Sequence, residues 1–321
     1  MNIRRQVEIV SLSLSLLITT LSITPAYSAE QPEEPAAATA KHPPIIPAPR
    51  IADWWFACQA EEIEIHAMSF NIRLGVAEDG PNHWDLRKEL VFDVLRDHQP
   101  DVVGLQEAWK IQIDALIAAF PEFGMIGRSR QEDPKKGEWC PILYLKDKFE
   151  VVSEGTFWLS DTPDKEGTMS WGNRIPRICT WGRLKDKKTG RTFFLYNTHF
   201  DHQSQPSREK SAVLCLEKIA ARKPADEATI FMGDLNAGEN NLAIETLGKP
   251  LRDTFGELHP GVKLRGTFGG WKGTSNGNRI DYIYVTSKGW KIVEAAILRD
   301  HSADNRYPSD HYPVNARLIL E

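Results

Sequence analysis

The chain has 321 residues, 41% of them hydrophobic, and a formal net charge of -5. That length and apolar content suffice to bury a large core, which excludes general disorder and makes one catalytic-sized domain the expectation. The acidic balance excludes a general basic field of the kind that binds duplexes by displacing counterions, although a local basic groove is not excluded.

Arg4 and Arg5 precede an apolar stretch from about Ile9 to Ile23, and Ala26 and Ser28 supply small residues for cleavage after Ser28. Residues 1–28 therefore read as an export signal, and a secreted or periplasmic location is expected. Ser13, Ser15, Thr19 and Thr20 make the short apolar stretch a poor membrane span, so no stable membrane insertion is expected. Residues 29–60 carry Pro32, Pro35, Pro43, Pro44, Pro47 and Pro49 among alanines and read as a spacer. The catalytic domain is expected over 61–321, as a monomer. An oxidising compartment would permit bridges among Cys58, Cys140, Cys179 and Cys215, whose spacing does not decide a pairing. Cys179 and Cys215 lie in apolar runs and read equally as buried small hydrophobes.

From residue 62 onward, strand-length apolar runs alternate with a few helical patterns. Residues 64–72 predict a strand. A helix follows from Asp85, a capping residue, with Leu86, Leu90, Val91, Val94 and Leu95 on one face, and it ends near Gln99-Pro100. Residues 102–105 predict a strand, 111–120 a helix, and 141–145 and 156–159 strands. Residues 180–184 and 193–198 read as a hairpin around Lys187-Lys188-Thr189-Gly190, and 208–221 as a helix. Residues 229–232, 279–285, 295–298 and 314–320 are the remaining expected strands. The expected fold is a layered α+β sandwich, two packed, mostly antiparallel β-sheets flanked by helices.

Polar residues fall at the ends of these runs: Asn71, Glu107, His199, Asp234, Asn236, Asp281, Asp310 and His311. Glu107 follows a fully apolar strand, where its carboxylate suits a Mg²⁺ ion that keeps some water, and equally a solvated helix start. Asp234 and Asn236, two apart on an extended segment, face the same side. Asp234 is then the candidate to polarise an attacking water and Asn236 to hold a phosphoryl oxygen, while Gly-Asp-x-Asn is also good turn chemistry. Asn71 is a candidate both for the phosphate and for the metal. His311 directly follows Asp310, so one side chain can face the metal and the other the phosphate, with Asp281 holding the imidazole.

The ordered set Asn71, Gln106-Glu107, Asn197-Thr198-His199, Gly233-Asp234-Leu235-Asn236, Arg279-Ile280-Asp281-Tyr282 and Ser309-Asp310-His311 resembles the endonuclease/exonuclease/phosphatase superfamily. That superfamily includes DNase I-like nucleases, inositol polyphosphate phosphatases, bacterial sphingomyelinases and carbon-catabolite-repressor-type deadenylases. The resemblance covers roughly residues 62–321. It implies a four-layered sandwich and a Mg²⁺ or Mn²⁺ cofactor with Glu107 as its main ligand and Asp310 beside it. It also implies His199 on the scissile phosphate and an Asp281-His311 pair. Trp84-Asp85-x-Arg87, His199-Phe200-Asp201-His202 and Thr267-Phe268 resemble a bacterial branch related to the deadenylases.

The superfamily keeps its phosphate chemistry and changes the surrounding loops, so the substrate is open at this point. His202 and Arg208 are candidates for a second or terminal phosphate, and Trp271 in the Gly266–Trp271 loop, or Trp171, for stacking a base or sugar. The leading expectation is an exported metal-dependent phosphoesterase of a small phosphorylated molecule. The alternatives are an extracytoplasmic 3'-5' exonuclease-like enzyme on single-stranded nucleic acid, with Arg128, Arg130, Lys135, Lys136 and Arg174 as part of a cationic track, and an inactive binding module.

Overall fold

The computed structural model describes residues 62–133 and 135–321, so the expected export signal, the Pro-rich spacer and Cys58 lie outside the described residues. In chain order the elements are β1 (Ile63–Asn71), α1 (Trp84–His98), β2 (Val102–Gln106), α2 (Lys110–Ala119), β3 (Phe123–Ile126), β4 (Ile142–Leu145), β5 (Phe149–Trp158), β6 (Ile178–Asp186) and β7 (Thr192–His199). They continue with α3 (Gln205–Ala220), β8 (Thr229–Asp234), α4 (Leu242–Leu247), β9 (Leu251–Asp253), α5 (Thr254–Leu258), β10 (Asp281–Thr286), β11 (Trp290–Ile297) and β12 (Val314–Leu320). None of the described helices is long and apolar enough to cross a membrane.

Two six-stranded sheets form, ordered β11-β12-β1-β2-β4-β3 and β5-β6-β7-β8-β10-β9. The pairs β1–β2 and β7–β8 are parallel and bridged by α1 and α3; the other pairings are antiparallel. Each sheet therefore repeats one topology, a parallel pair joined through a helix and then an antiparallel partner on the far side. The sequence shows no such repeat, because the two halves share connectivity and not residues.

The expected strands and the three long helices are present, with shifted ends. Asp85, expected as the cap of α1, lies in its first turn, and His83 Nδ1 caps instead by accepting from Asp85 N. The helix stops at Gln99, left-handed at φ 47°, because Pro100 cannot continue it. Helix α3 starts at Gln205, since Ser204 accepts from Ser207 N and Pro206 fits the first turn. The unexpected elements β3, β9, α4 and α5 are three to six residues long, too short for a period to show.

Three apolar clusters give four layers. Ile63, Ile65, Ala67 and Val102 of the first sheet pack against Phe193, Leu195, Ile230, Met232, Ile283 and Val285 of the second. Met68, Phe70, Val103 and Leu105 face α1 and α2, while Tyr196, Phe231, Tyr282 and Tyr284 face α3 and α4. Cys140, Cys179 and Cys215 are buried free thiols, as apolar surroundings at Cys179 and Cys215 suggested.

Side chains on a strand alternate faces, so the inter-sheet face can be followed to each strand end. On β1 it runs Ile63, Ile65, Ala67, Ser69, Asn71; on β7, Phe193, Leu195, Asn197, His199; on β8, Ile230, Met232, Asp234; and on β10, backwards, Val285, Ile283, Asp281. The expected site residues thus continue the buried face where the sandwich opens. Beneath them a buried amide pair ties the sheets: Gln106 Nε2 donates to Asn197 Oδ1 at 2.7 Å, and Asn197 Nδ2 donates to the carbonyls of Leu105 and Pro141. Gly104 leaves room for it, since a Cβ there would lie 2.7 Å from Asn197 Oδ1.

Asn197→Ala removes one partner from each of three buried polar groups, of which Pro141 O keeps Leu105 N and Gln106 Nε2 keeps Ser69 Oγ and Gly104 O. It is expected to lower unfolding stability by about 2 kcal/mol, read from urea denaturation. A change smaller than about 1 kcal/mol would show that water replaces the amide.

Candidate active site

Strand register gathers the site before any side-chain contact is considered. His199 and Asp281 lie opposite Asp234 on its two flanking strands, and Asn71 lies opposite Gln106. Ladder neighbours are about 5 Å apart, so three side chains of one face meet without a loop to position them.

Asp281 Oδ2 and His311 Nδ1 are 2.9 Å apart, joining the start of β10 to the segment before β12 in the other sheet. The 266–271 loop secures that segment: Tyr312 N donates to Thr267 O, and Gly269 N and Gly270 N both donate to Asp310 O. Thr267 Oγ1 in turn accepts from Ile280 N and Asp281 N. Burial opposes charge on His311, but Asp281 and then Asp234 outweigh it and raise the imidazole pKa well above its ordinary value. Burial, then the negative charge of Asp281, raises the Asp234 carboxyl to about 7.

His199 behaves oppositely. Burial first, then Arg177 and Arg130, lower its pKa well below the usual imidazole value, so it is neutral. Its Nε2 accepts from Asn236 Nδ2 at 2.9 Å, which places the ring proton on Nδ1, 3.9 Å from Glu138 Oε2. Of the two imidazoles, His311 alone is cationic.

Asn236 is not on a continuous extended segment with Asp234. Strand β8 ends at Asp234, Asn236 turns left-handed at φ 47°, and its N–H donates to Asp234 Oδ1, the turn chemistry that its motif allowed. Its Nδ2 is used by His199 and by Phe200 O, which leaves an amide oxygen, an acceptor, and no donor for a phosphoryl oxygen.

Glu107 Oε2 accepts from Leu74 N and lies 3.7 Å from Arg73 Nη1; Asp310 Oδ2 lies 3.9 Å from Arg73 Nε. Arg73 is held by two 2.9 Å hydrogen bonds to Asp79, at a strained φ of 56°. Asn71 donates to Glu107 Oε1 and Asp234 Oδ2, while its oxygen accepts from Arg73 N. The expectation of Asn71 as an oxygen ligand is therefore replaced by a donor that bridges two carboxylates. Four carboxylates against the two cations Arg73 and His311 leave negative charge that suits a hard divalent cation, and Glu107 and Asp310, both lining the cleft, fit as its holders. Asp234, Asp281 and His311 also bring ligand atoms within 4.8 Å of one another, but a protonated imidazole has no lone pair to offer a metal.

Glu107, His199, Asp234, Asn236, Asp310 and His311 line a cleft of about 400 Å³ with Arg73, Glu138, Ile175, Arg177, His202 and Phe268, while Asn71 and Asp281 support it from behind. A larger groove around Trp181, Phe194 and Tyr196 on the outer face of the second sheet carries none of the constellation. Two expected substrate contacts lie elsewhere. Arg208 donates to Asp201 O and Gln205 Oε1, so it holds the loop that carries His202. Trp271 packs over the guanidinium of Arg87, and the aromatic at the cleft is Phe268, half-exposed and edge-to-face with His311 at 5.2 Å. Trp171 donates to Asp161 and is likewise absent from the cleft lining.

Sequence reasoning missed Arg73, Glu138 and Arg177 as site residues. Arg177 had a signal, because like Asp281 it stands immediately before a strand-like run, here Ile178-Cys179-Thr180-Trp181; lone charges at Arg73 and Glu138 had none.

Residues 68–311 match the model of the Endonuclease/Exonuclease/phosphatase family. A solved member from Bacteroides vulgatus is 34% identical, with a TM-score of 0.75 over 81% of this chain and 100% of that one. A mannosyl-6-phosphatase from Bacteroides thetaiotaomicron is 31% identical, with a TM-score of 0.73 over 80% and 100%. Mouse nocturnin is 23% identical over 80% of this chain and 64% of its own length.

Asp281→Asn removes the charge that holds His311 protonated and is expected to lower kcat on p-nitrophenyl phosphate about 100-fold or more without a matching fall in Tm; a loss below threefold would remove the pair from the chemistry. Phe268→Ala is expected to raise KM about fivefold and Trp271→Ala to leave it unchanged, and the reverse pattern would return the substrate contact to Trp271.

Proposed function

Because the chain belongs to the endonuclease/exonuclease/phosphatase family, we propose that it is an exported, divalent-metal-dependent phosphatase of small phosphorylated molecules. The observation that carries this reading is the state of the basic residues a nuclease would need. Of the five cations expected in a track, Arg128 is paired with Glu166, Arg130 with Glu138 and Lys136 with Asp133, which leaves only Lys135 and Arg174 without an ion pair among the described residues. A polyanion gains little from cations whose charge is already cancelled. The cleft, about 400 Å³, has the size of a small-molecule site. The Bacteroides relative named for mannosyl-6-phosphate hydrolysis supports a small monoester as substrate. Export rests on residues 1–28.

Glu107 and Asp310 would hold Mg²⁺ or Mn²⁺, which when bound polarises a phosphoryl oxygen and offsets its charge. Asp234, held by Asn71 and by the Asn236 backbone, accepts a proton from the attacking water. The amide oxygen of Asn236 orients that water. His311, fixed by Asp281, donates from Nε2 to the phosphoryl group as negative charge builds. Neutral His199 fixes the Asn236 amide.

The test is phosphate release by the mature chain, with Mg²⁺ or Mn²⁺, from p-nitrophenyl phosphate, hexose phosphates, bis-p-nitrophenyl phosphate and single-stranded RNA and DNA. Glu107→Gln is expected to abolish release and to lose Mn²⁺ binding in calorimetry while its melting curve is retained. Turnover of RNA or DNA above the small esters would make the protein a nuclease. An N-terminus other than Ala29 on the exported product would displace the cleavage site.

A further inference from the structure

At one side of the cleft lies a polar cluster that the hydrolysis described above does not use. Arg177 is buried to 3% exposure yet lines the cleft. Its Nε reaches Asp201 Oδ2 at a long 3.5 Å, its Nη2 donates to His202 Nδ1 at 2.8 Å, and its Nη1 has no protein partner among the described residues. Because Nδ1 of His202 accepts, the ring proton sits on Nε2, at the exposed rim. Burial and the Arg177 charge lower the His202 pKa and keep it neutral. Glu138 also lines the cleft; both of its oxygens accept from Arg130, at 2.9 and 2.7 Å, and each retains a lone pair.

We propose that Arg177, His202 and Glu138 form a subsite that reads the hydroxyl groups of a neutral, sugar-like leaving group. This rests on the phosphatase reading and names its substrate class. Two cations, Arg177 and Arg130, face two anions, Asp201 and Glu138, so the cluster is neutral as a whole. A second phosphate, which His202 and Arg208 were expected to take, would meet no net positive charge and would face the Glu138 carboxylate. A hydroxyl both donates and accepts, and so matches Glu138 beside the N–H groups of Arg177 and His202. Ile175 and Phe268 line the same cleft and offer apolar surface to the C–H face of a sugar ring. An analogue without hydroxyls would cover Nη1 of Arg177 and leave it without a partner, the circumstance in which a polar site rejects a ligand most strongly. The subsite is held rigidly: Asp201 Oδ1 accepts from Gln203 N and Ser204 N, and Arg208 donates to Asp201 O.

The experiment compares kcat/KM for mannose 6-phosphate, glucose 6-phosphate, cyclohexylmethyl phosphate and fructose 1,6-bisphosphate in the mature wild type, Arg177→Met and His202→Ala. Cyclohexylmethyl phosphate keeps the ring and leaving-group class without the hydroxyls. The wild type is expected to prefer at least one hexose phosphate over it by about 100-fold or more. Both variants should bring that ratio below tenfold, chiefly through KM for the sugar. If Arg177→Met fails to fold by circular dichroism, the rim residue His202 carries the comparison. Equal turnover of the cyclohexyl ester by the wild type, an unchanged ratio in His202→Ala, or preference for the bisphosphate would each overturn the subsite while leaving the phosphatase reading intact. Failure to hydrolyse any of the esters above the Glu107→Gln blank would remove both.

Discussion

Four carboxylates, Glu107, Asp234, Asp281 and Asp310, share one cleft mouth, and containing their repulsion is the constraint around which the rest of the site is arranged. The Asp281–His311 pair does most of this: a 2.9 Å contact between groups carried by different sheets, in a place where neither charge has water to screen it. Asn71 places its amide hydrogens between Glu107 and Asp234, and Arg73 brings a guanidinium within 4 Å of Glu107 and Asp310. Both positions are set by the segment after β1, where Arg73 N donates to Asn71 Oδ1 and buried Arg87 and Gln112 donate to Arg73 O. What remains is a surplus of negative charge at the open side, the condition a divalent cation satisfies.

The fold supplies that crowding by repeating one topology. In each sheet a parallel pair joined through a helix delivers two strand ends to the same side, as α/β sheets place their ligands beyond the carboxyl ends of strands. With the sheets face to face, the four ends converge. The Gln106–Asn197 amide pair, fully buried just below, fixes the sheets against sliding at the level where a small displacement would separate His311 from Asp281. Left-handed backbone at Arg73, Glu107 and Asn236 marks where the chain leaves its strands abruptly enough to keep these side chains at the mouth.

Neutral His199 beside charged His311 shows how much environment decides. Both are buried histidines near Asp234. One faces Arg177 and Arg130 across the cleft and loses its proton; the other is flanked by two aspartates and keeps it. The division gives the site a single cationic imidazole. It also leaves the far wall neutral overall, where charge is paired and hydrogen-bonding capacity is not exhausted.

Much of this was legible in the chain itself. The alternation of apolar residues marked the strands, and the polar residue ending each run marked the mouth, because a side chain that continues a buried face beyond the core is polar only if something there requires it. The order of those residues carried the family. Asn71, Asn236 and His199 were found, while their roles were not, because an amide or imidazole presents a donor or an acceptor according to which partner reaches it first, and those partners, Arg73 for Asn71, Phe200 for Asn236 and Asn236 for His199, are distant in sequence or unmarked. Trp271 and Arg208 were misplaced for the same reason: a loop tryptophan and an arginine in the first turns of α3 take direction from what they pack on, Arg87 in one case and Asp201 in the other. By itself, then, the sequence determined which residues face the mouth, since strand period is a local property of the backbone. Only the tertiary structure decided what each does there, since protonation, hydrogen-bond direction and net charge belong to the assembled neighbourhood and to no single residue.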